Sequence, residues 1–201
     1  MDRSLIYRVS APFYDLAMTG VLRKARRDSV NSLELRPGHR LLIPGIGTGL
    51  DLPFLPPDLD ILGGDLVPAM LAKAELRKRD LGFTRLRLVT FDAMTLPVPD
   101  SSFDGALLHL ILAVAPDGRS VLSEAARAVK PGGRLAVLDK FLEGKGQVVP
   151  QWRRAAQWFM GPFTDINRRF EDMKEGLPLR ILSDEGVMLG RTFRRILLER
   201  H

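Results

Sequence analysis

The sequence predicts a single α/β domain whose core is a doubly wound, mostly parallel β-sheet. Between residues 40 and 140, short apolar segments of strand length alternate with segments of helical periodicity. This alternation is typical of parallel strands joined by crossover helices. Three glycines directly after the first predicted strand are the second observation, because open α/β sheets bind ligands at the carboxyl ends of their strands. The length of 201 residues suits one domain.

The first 35 residues are predicted to form a helical segment that precedes the sheet. Leu5, Val9 and Phe13 recur at helical spacing on one side of residues 5–35. Pro12 and Gly20 are expected to divide this region into shorter helices. We interpret residues 1–35 as an N-terminal lid.

Residues 40–140 are predicted to form the ligand-binding core. A helix is expected to begin just after the glycine loop, and Pro68 suits the first turn of a later helix. The Lys130-Pro131-Gly132-Gly133 turn is expected to end the last helix of the core. The predicted strands are 40–44, 60–64, 85–90, 103–108 and 134–139, and the other predicted helices are 68–79 and 118–129.

The alternation stops after Phe141. Residues 145–175 are predicted to form a helical cap with aromatic bulk, of which Trp152, Trp158 and Phe163 are examples. Two strands follow, 179–182 and 193–198, with no helical pattern between them. They are therefore expected to pair as an antiparallel hairpin at the sheet edge, joined across residues 184–186. Together these elements define a single Rossmann-like domain over residues 1–201.

The composition excludes several classes of protein. Hydrophobic residues make up 45% and charged residues 27%, which argues against disorder. The absence of cysteine excludes disulfides, thiolate metal ligands and a cysteine nucleophile, and no metal site is predicted. No apolar run approaches the ~20 residues of a spanning helix, and Met1–Ser4 does not open a signal peptide. We expect a cytoplasmic protein.

The net charge of +6 allows more than one interpretation. It is compatible with simple solubility, with an acidic substrate, or with a peripheral contact at an anionic inner membrane surface. A nucleic acid partner is not expected, because no surface with interleaved basic and aromatic residues is evident. The sequence carries no signal for an oligomeric state.

The strongest local motif is Gly45-Ile46-Gly47-Thr48-Gly49, which follows a predicted strand. Glycines allow a sharp turn and a close approach of the backbone to a ligand. A dinucleotide fingerprint would require glycine where Leu50 stands, and a phosphate-binding loop would require a lysine that is absent. The motif therefore favours an uncharged nucleoside with an amino-acid tail, or else a tight structural turn.

Two carboxylates follow the next two predicted strands. Asp65 stands twenty positions after Gly45, where a carboxylate can accept both hydroxyls of a ribose. Asp92 follows the third strand and could accept the exocyclic amine of an adenine. Either could instead serve locally, Asp65 as a charge at a helix N-terminus and Asp92 as a turn residue. Their common placement at strand carboxyl ends favours one shared ligand site.

Five segments carry a family resemblance, and it extends over about residues 7–140. The segments are 11–16, the glycine loop, 64–71, 92–104 (with Asp-Ala, Leu-Pro, Pro-Asp and Ser-Phe-Asp in order) and 128–135 with its Lys-Pro-Gly-Gly turn. In these the chain resembles the class I S-adenosylmethionine (SAM)-dependent methyltransferases. It is most similar to the branch of ubiquinone and menaquinone C-methyltransferases and bacterial phosphatidylethanolamine N-methyltransferases.

The resemblance implies SAM as cofactor and S-adenosylhomocysteine as its product. It implies a cofactor bound by Gly45, Gly47 and Gly49, with Asp65 at the ribose and Asp92 with Ala93 at the adenine. The cofactor residues it implies are Gly45, Ile46, Gly47, Thr48, Gly49, Asp65, Leu66, Met70, Asp92, Ala93 and His109.

One position departs from the family pattern. Such families usually carry an acidic residue where Ile43 stands, two positions before Gly45, and that acid helps to hold the methionyl end of SAM. Its replacement is expected to weaken SAM binding or reorient the methionyl tail. It also leaves the alternative that the protein binds SAM without turnover.

Three residues are candidates for the chemistry at the acceptor. His109 ends the fourth predicted strand and titrates near neutral pH, so it could act as a base or simply pack in the core. Tyr14, and after it Tyr7, lie in the predicted lid and could orient an acceptor or anchor a helix. Methyl transfer relies mainly on alignment, so no strict catalytic motif is expected.

The expected acceptor is a small or amphipathic molecule. The resemblance of the N-terminal segment favours a phospholipid headgroup amine, as in phosphatidylethanolamine-type N-methylation. The alternative is C- or O-methylation of a quinone-like or other small metabolite. Both imply a small-molecule or lipid partner.

Overall fold

The computed structural model describes residues 22–142, 167–188 and 191–201, which form one seven-stranded sheet flanked by helices. The strands are β1 (Arg40–Pro44), β2 (Asp60–Asp65), β3 (Leu86–Thr90), β4 (Phe103–His109), β5 (Val129–Lys140), β6 (Leu179–Met188) and β7 (Phe193–Arg200). The described helices are α1 (Arg23–Ser32), α2 (Pro68–Asp80), α3 (Gly118–Ala128) and α4 (Phe170–Lys174).

The strand order is β3-β2-β1-β4-β5-β7-β6. Strands β1 to β5 are parallel, whereas β7 pairs antiparallel with both β5 and β6. The predicted fold class, including the antiparallel hairpin at the edge, is therefore confirmed. The order reverses between β1 and β4, and such a switch point opens a crevice at the strand carboxyl ends.

Both faces of the sheet are buried, which explains the continuous apolar runs of its central strands. One apolar cluster joins Leu42, Leu108 and Val137 to α3 residues such as Leu122. The other joins Leu41, Ile43 and Leu107 to Val30 and Leu33 at α1. Full burial of one such side chain contributes ~1.5–3 kcal/mol, so α1 and α3 hold the sheet firmly from opposite sides.

The connection after the glycine loop differs from the prediction. Instead of an α-helix it contains only a 3-10 turn, Leu52–Phe54. Leu55 adopts an extended conformation because it precedes Pro56, and a residue before proline is disfavoured in the helical region. The loop and the buried Asp51 are therefore not part of a long helix.

The position of the last turn was also predicted wrongly. Strand β6 continues through residues 184–186, where the sequence suggested the join between two strands. Across the pair, Asp184 accepts hydrogen bonds from Arg194, and Glu185 accepts one from Arg195. Cross-strand ion pairs of this kind favour pairing, which explains why these polar residues extend the strand.

Most of the predicted lid and cap lies outside the described residues. Helix α1 is the described part of the helical segment predicted over residues 5–35. Of the cap predicted over 145–175, α4 is described at the carboxyl end. None of the described helices has the length and apolar character required to cross a membrane.

Candidate functional site

The predicted ligand residues meet at the carboxyl edge of three adjacent strands. The glycine loop leaves β1, Asp65 ends β2, and Asp92 follows β3 by two residues. Pro44 pairs with Gly64, and Asp65 pairs with Thr90, so the three strand ends are level in register. The sheet thus brings the loop and both carboxylates to one side of the switch point.

The three loop glycines adopt left-handed backbone conformations, with φ of 73° at Gly45, 57° at Gly47 and 80° at Gly49. The amides of Gly45 and Ile46 donate to the carbonyl oxygen of Gly64 at 2.8 and 3.0 Å, which fastens the loop to β2. A Cβ at Gly45 would lie 2.7 Å from Ile111, so this glycine is required for packing.

Gly47 is different because open space lies beside it. A Cβ placed there would meet no atom nearer than the carbonyl oxygen of Gly45, at 4.0 Å. Its φ of 57° nevertheless favours glycine. A bare backbone bend that faces open space is suited to the close approach of a ligand, which supports the binding interpretation over a purely structural turn.

Asp65 supports the loop and keeps acceptor capacity for a ligand. One carboxylate oxygen accepts the amide of Gly47 at 3.0 Å, and the other accepts the amide of Val67 at 2.9 Å. Burial raises the pKa of Asp65, and the backbone hydrogen bonds oppose that effect. An ionised carboxylate has about four acceptor sites, so hydroxyl groups of a ribose could still bind here.

The surroundings of Asp65 and Asp92 suit a flat aromatic base. Leu66 directly follows Asp65 and is 66% exposed, so its apolar side chain is accessible to a ligand at this edge of the sheet. Met70, in the first turn of α2, and Ala93 are half-buried. One carboxylate oxygen of Asp92 accepts the amide of Met94 at 2.8 Å, which is the predicted turn contact. The other oxygen can still accept a hydrogen bond from a ligand.

Ile46 and Thr48 shape the loop from inside the protein. Both are buried, with 4% exposure each. Arg77 of α2 donates to the hydroxyl oxygen of Thr48 at 2.8 Å and also to its carbonyl oxygen. Their contribution to a ligand would therefore come through the backbone of the loop.

His109 is held in a buried polar network. Its Nδ1 lies 2.8 Å from a carboxylate oxygen of Asp51, and its Nε2 lies 2.8 Å from the hydroxyl of Ser29. Arg26 donates to the same oxygen of Asp51 at 2.7 Å. Both ring nitrogens are thus engaged within the protein, and this geometry argues against the predicted role of His109 as a base. It joins β4 to α1 and to the end of the glycine loop.

Asp51 is the electrostatic centre of this network. Burial alone would raise the pKa of Asp51, but His109 and Arg26 outweigh burial and hold it far below its ordinary value. Sequence reasoning singled out neither Asp51 nor Arg26. The available signal was helical periodicity, because Arg26, Ser29 and Val30 share one face of α1 and are all buried there.

Ile43 packs into the apolar cluster that contains Val30 and Leu33, with 2% exposure. The position that is usually acidic therefore faces α1, and an apolar side chain suits that environment. Tyr7 and Tyr14 lie outside the described residues, so their roles remain predictions.

A family of proteins described as "Methyltransferase domain" matches residues 42–137 of the chain. This range begins in β1, contains the glycine loop, Asp65 and Asp92, and ends in β5. The matched segment therefore coincides with the site described above.

Two curated relatives show the range of similar proteins. A phosphatidylethanolamine N-methyltransferase of Cereibacter sphaeroides is 32% identical over 134 residues, which cover 66% of this chain and 66% of the relative. A demethylmenaquinone methyltransferase of Paenarthrobacter aurescens is 32% identical over 148 residues, covering 71% of this chain and 55% of the relative. The chain thus spans between about half and two thirds of the length of such relatives.

Among solved structures, the geranyl diphosphate C-methyltransferase of Streptomyces coelicolor is similar in fold. Its complex with Mg²⁺, geranyl diphosphate and S-adenosylhomocysteine superposes with a TM-score of 0.76 at 14% identity, covering 89% of this chain and 77% of that one. At this identity the likeness concerns the fold alone.

Proposed function

The chain belongs to the class I SAM-dependent methyltransferases, and on that premise we propose that it transfers a methyl group from SAM to a small or amphipathic acceptor. The observation that carries the proposal is the level placement of the open Gly47 bend, Asp65 and Asp92 at three adjacent strand ends. The family match covers residues 42–137 and so includes all three groups.

The described residues fit the cofactor. Gly47 leaves room for a ligand against the backbone, and Asp65 and Asp92 each retain acceptor capacity toward it. We propose that Asp65 holds the ribose hydroxyls, that Asp92 and Ala93 bind the adenine, and that Leu66 and Met70 supply apolar contact to its ring. SAM itself supplies an electrophilic methyl group on a sulfonium.

The part of the protein is then to align the acceptor with that methyl group. Precise alignment of two reactants can lower a barrier by ~7–11 kcal/mol without a charged catalytic group. The Arg26–Asp51–His109 network would contribute indirectly, because it fixes α1 against β4 and the glycine loop. His109 is thus proposed as a positioning residue, while Tyr14 and Tyr7 remain the proposed acceptor contacts.

The proposed acceptor is a phospholipid headgroup amine of the phosphatidylethanolamine type. The similarity to the Cereibacter sphaeroides phosphatidylethanolamine N-methyltransferase supports it, since that relative is matched over an equal share of both chains. The second candidate is C-methylation of a quinone-like metabolite, which the relatives described as demethylmenaquinone methyltransferases support.

Radiolabelled SAM tests the proposal directly. The purified protein is incubated with labelled SAM and either phosphatidylethanolamine vesicles or a reduced demethylnaphthoquinol, and the lipid, aqueous and quinol fractions are counted. Label in the lipid fraction supports the first candidate, and label in the quinol fraction supports the second. Tight binding of S-adenosylhomocysteine by calorimetry without label in any fraction would indicate a SAM-binding protein without turnover. Absence of binding would refute the methyltransferase proposal.

A further inference from the structure

Lys140 is a buried cation without a polar partner among the described residues. It is the last residue of β5 and is only 6% exposed. Within the described part of the chain, its ammonium has neither a hydrogen bond nor an ion pair. The ring of Phe193 has its centroid 6.0 Å from Nζ, at the outer limit of a cation–π contact.

The neighbouring carboxylate does not neutralise this cation directly. Asp139 is fully buried and accepts the amide of Ala113 at 3.0 Å and the backbone amide of Lys140 at 2.8 Å. Successive side chains of a strand point to opposite faces, so Asp139 and the Lys140 ammonium lie on different sides of the sheet. Burial lowers the pKa of Lys140, and attraction by Asp139 opposes that effect.

Burial of most of a lysine side chain costs free energy when its ammonium has no hydrogen-bonding partner in the protein, even though the ammonium of Lys140 keeps some contact with solvent. Lysine is almost never buried in a core unless it is paired, and ionisable groups in unusual environments cluster at functional sites. A purely structural position would favour an apolar residue such as methionine. Lys140 is therefore best explained by a partner that binds from outside the protein.

The position of Lys140 indicates which partner this is. His109 pairs with Leu138, so Lys140 lies two residues further along β5, at the carboxyl edge of the sheet. It shares a face with Leu138 and His109, the face that α1 covers. The cofactor residues occupy the ends of β1, β2 and β3, whereas β4 and β5 lie on the other side of the glycine loop. An acceptor that meets the methyl group must therefore approach over the ends of β4 and β5.

We propose that Lys140 binds an anionic oxygen of the methyl acceptor, and that the acceptor carries such an oxygen close to the methylated atom. This inference rests on the proposed function and restricts its substrate class. The shared chemistry is a singly ionised oxygen, which a phospholipid phosphodiester and an ionised quinol can each provide. An acceptor ammonium would be repelled at this position, so in a phospholipid the phosphate, and not the amine, contacts Lys140.

The test uses the protein saturated with S-adenosylhomocysteine and two soluble probes. Dihexanoylphosphatidylethanolamine supplies the phosphodiester, and 1,4-naphthalenediol, kept reduced, supplies the phenolic oxygen. Calorimetry measures the affinity of each probe for the unmodified protein, for Lys140→Met, and for Lys140→Gln, which keeps a polar group without the charge. Lys130→Met is the control, because Lys130 lies at the opposite end of β5 and pairs with Asp104 on the surface.

We expect the unmodified protein to bind at least one probe about 10- to 100-fold more tightly than either Lys140 variant, as for a hydrogen bond to a charged group. The probe that shows this difference identifies the source of the oxygen. Lys140→Met should unfold at the same or a higher temperature, because it relieves an unpaired charge. The Lys130 control should bind both probes unchanged.

Equal affinity of the unmodified protein and the Lys140 variants, or failure of the unmodified protein to bind either probe, would overturn the assignment. A separate titration with S-adenosylhomocysteine distinguishes failure of the proposed function from failure of the Lys140 assignment. If the unmodified protein does not bind that nucleoside, the proposed function fails. If it does bind the nucleoside, but each probe binds the unmodified protein and the Lys140 variants equally, only the role of Lys140 is wrong.

Discussion

At the scale of single residues, Asp65 connects the loop to the proposed ligand. Its carboxylate binds the amide of Gly47, the glycine beside open space, and the amide of Val67. The same side chain therefore sets the shape of the loop and presents oxygen atoms to the cleft. A change of charge at this position should affect ligand affinity more than any other single change at β2.

We expect Asp65→Asn to weaken binding of S-adenosylhomocysteine about 10- to 100-fold, since a hydrogen bond to a charged group contributes ~1.5–3 kcal/mol. Isothermal calorimetry at pH 7 measures this change. Asp60→Asn is the matched control, because Asp60 begins the same strand and pairs with Arg40 at the opposite edge of the sheet. Equal affinities of the two variants would show that Asp65 does not contact the ligand.

The residue scale also shows what the sequence alone could predict. Gly47 and Asp65 were identifiable because the preference of glycine for a left-handed backbone and the end of a strand are local properties that residue type and spacing reveal. The surroundings of His109 were not, because its partners Asp51 and Ser29 are 58 and 80 positions away in the chain. A histidine at a strand end suggests a catalytic role until the hydrogen-bonding partners of its two ring nitrogens are known.

At the scale of elements, α1 is attached to the sheet by charge as well as by apolar packing. Arg26 and Ser29 reach Asp51 and His109, and Arg134 of β5 donates to the carbonyl oxygen of Ser32 at 3.0 Å. Loss of one partner from a buried ion pair leaves the other uncompensated, which typically costs ~3–5 kcal/mol. The stability of this attachment should therefore depend on pH.

We expect Asp51→Asn to lower the free energy of unfolding by ~3–5 kcal/mol at pH 7. Because the folded pKa of Asp51 is depressed below its ordinary value of 3.8, its stabilising effect is present above that value. It is lost as the pH falls from that value toward the folded pKa, where the unfolded chain binds more protons. The difference between the two proteins should therefore narrow at pH 3.

Urea denaturation at pH 7 and pH 3 measures both differences. Asp58→Asn serves as the control, because Asp58 is exposed in the same connection between β1 and β2. A destabilisation of Asp51→Asn that is equal at both pH values would mean that Asp51 is not stabilised as an anion.

Element boundaries show a second limit of sequence reasoning. The strands β1 to β5 were predictable because their runs are short and separated by turn residues and helical segments, and these features distinguish them from helices. The 3-10 turn at Leu52–Phe54 and the extension of β6 were not. Pro56 and the cross-strand pairs of Asp184 and Glu185 decide those regions, and a pair is visible only when the opposing strand is known.

At the scale of the whole molecule, α1 carries part of the excess positive charge of a chain whose net charge is +6. Lys24 and Arg27 are strongly exposed there, with side-chain exposures of 81% and 60%, and Arg23 is also exposed. The opposite face of the helix is buried against the sheet. Lys24 and Arg27 lie 2.8 and 3.9 Å from Asp28, so the exposed face of α1 keeps an excess of positive charge that an anionic surface would attract.

We expect the protein to sediment with vesicles that contain phosphatidylglycerol and much less with phosphatidylcholine vesicles, and to be released by salt. A cation near an anionic surface contributes ~1 kcal/mol, so the triple change Arg23→Gln, Lys24→Gln and Arg27→Gln should weaken binding by about two orders of magnitude. The control is the triple change Lys73→Gln, Lys78→Gln and Arg79→Gln, which removes the same charge from α2.

If both triple variants lose equal affinity, attraction is a property of the net charge and not of α1. If vesicles of either composition fail to sediment the unmodified protein, an amphipathic acceptor must reach the site without a membrane contact, and a soluble acceptor becomes the better proposal.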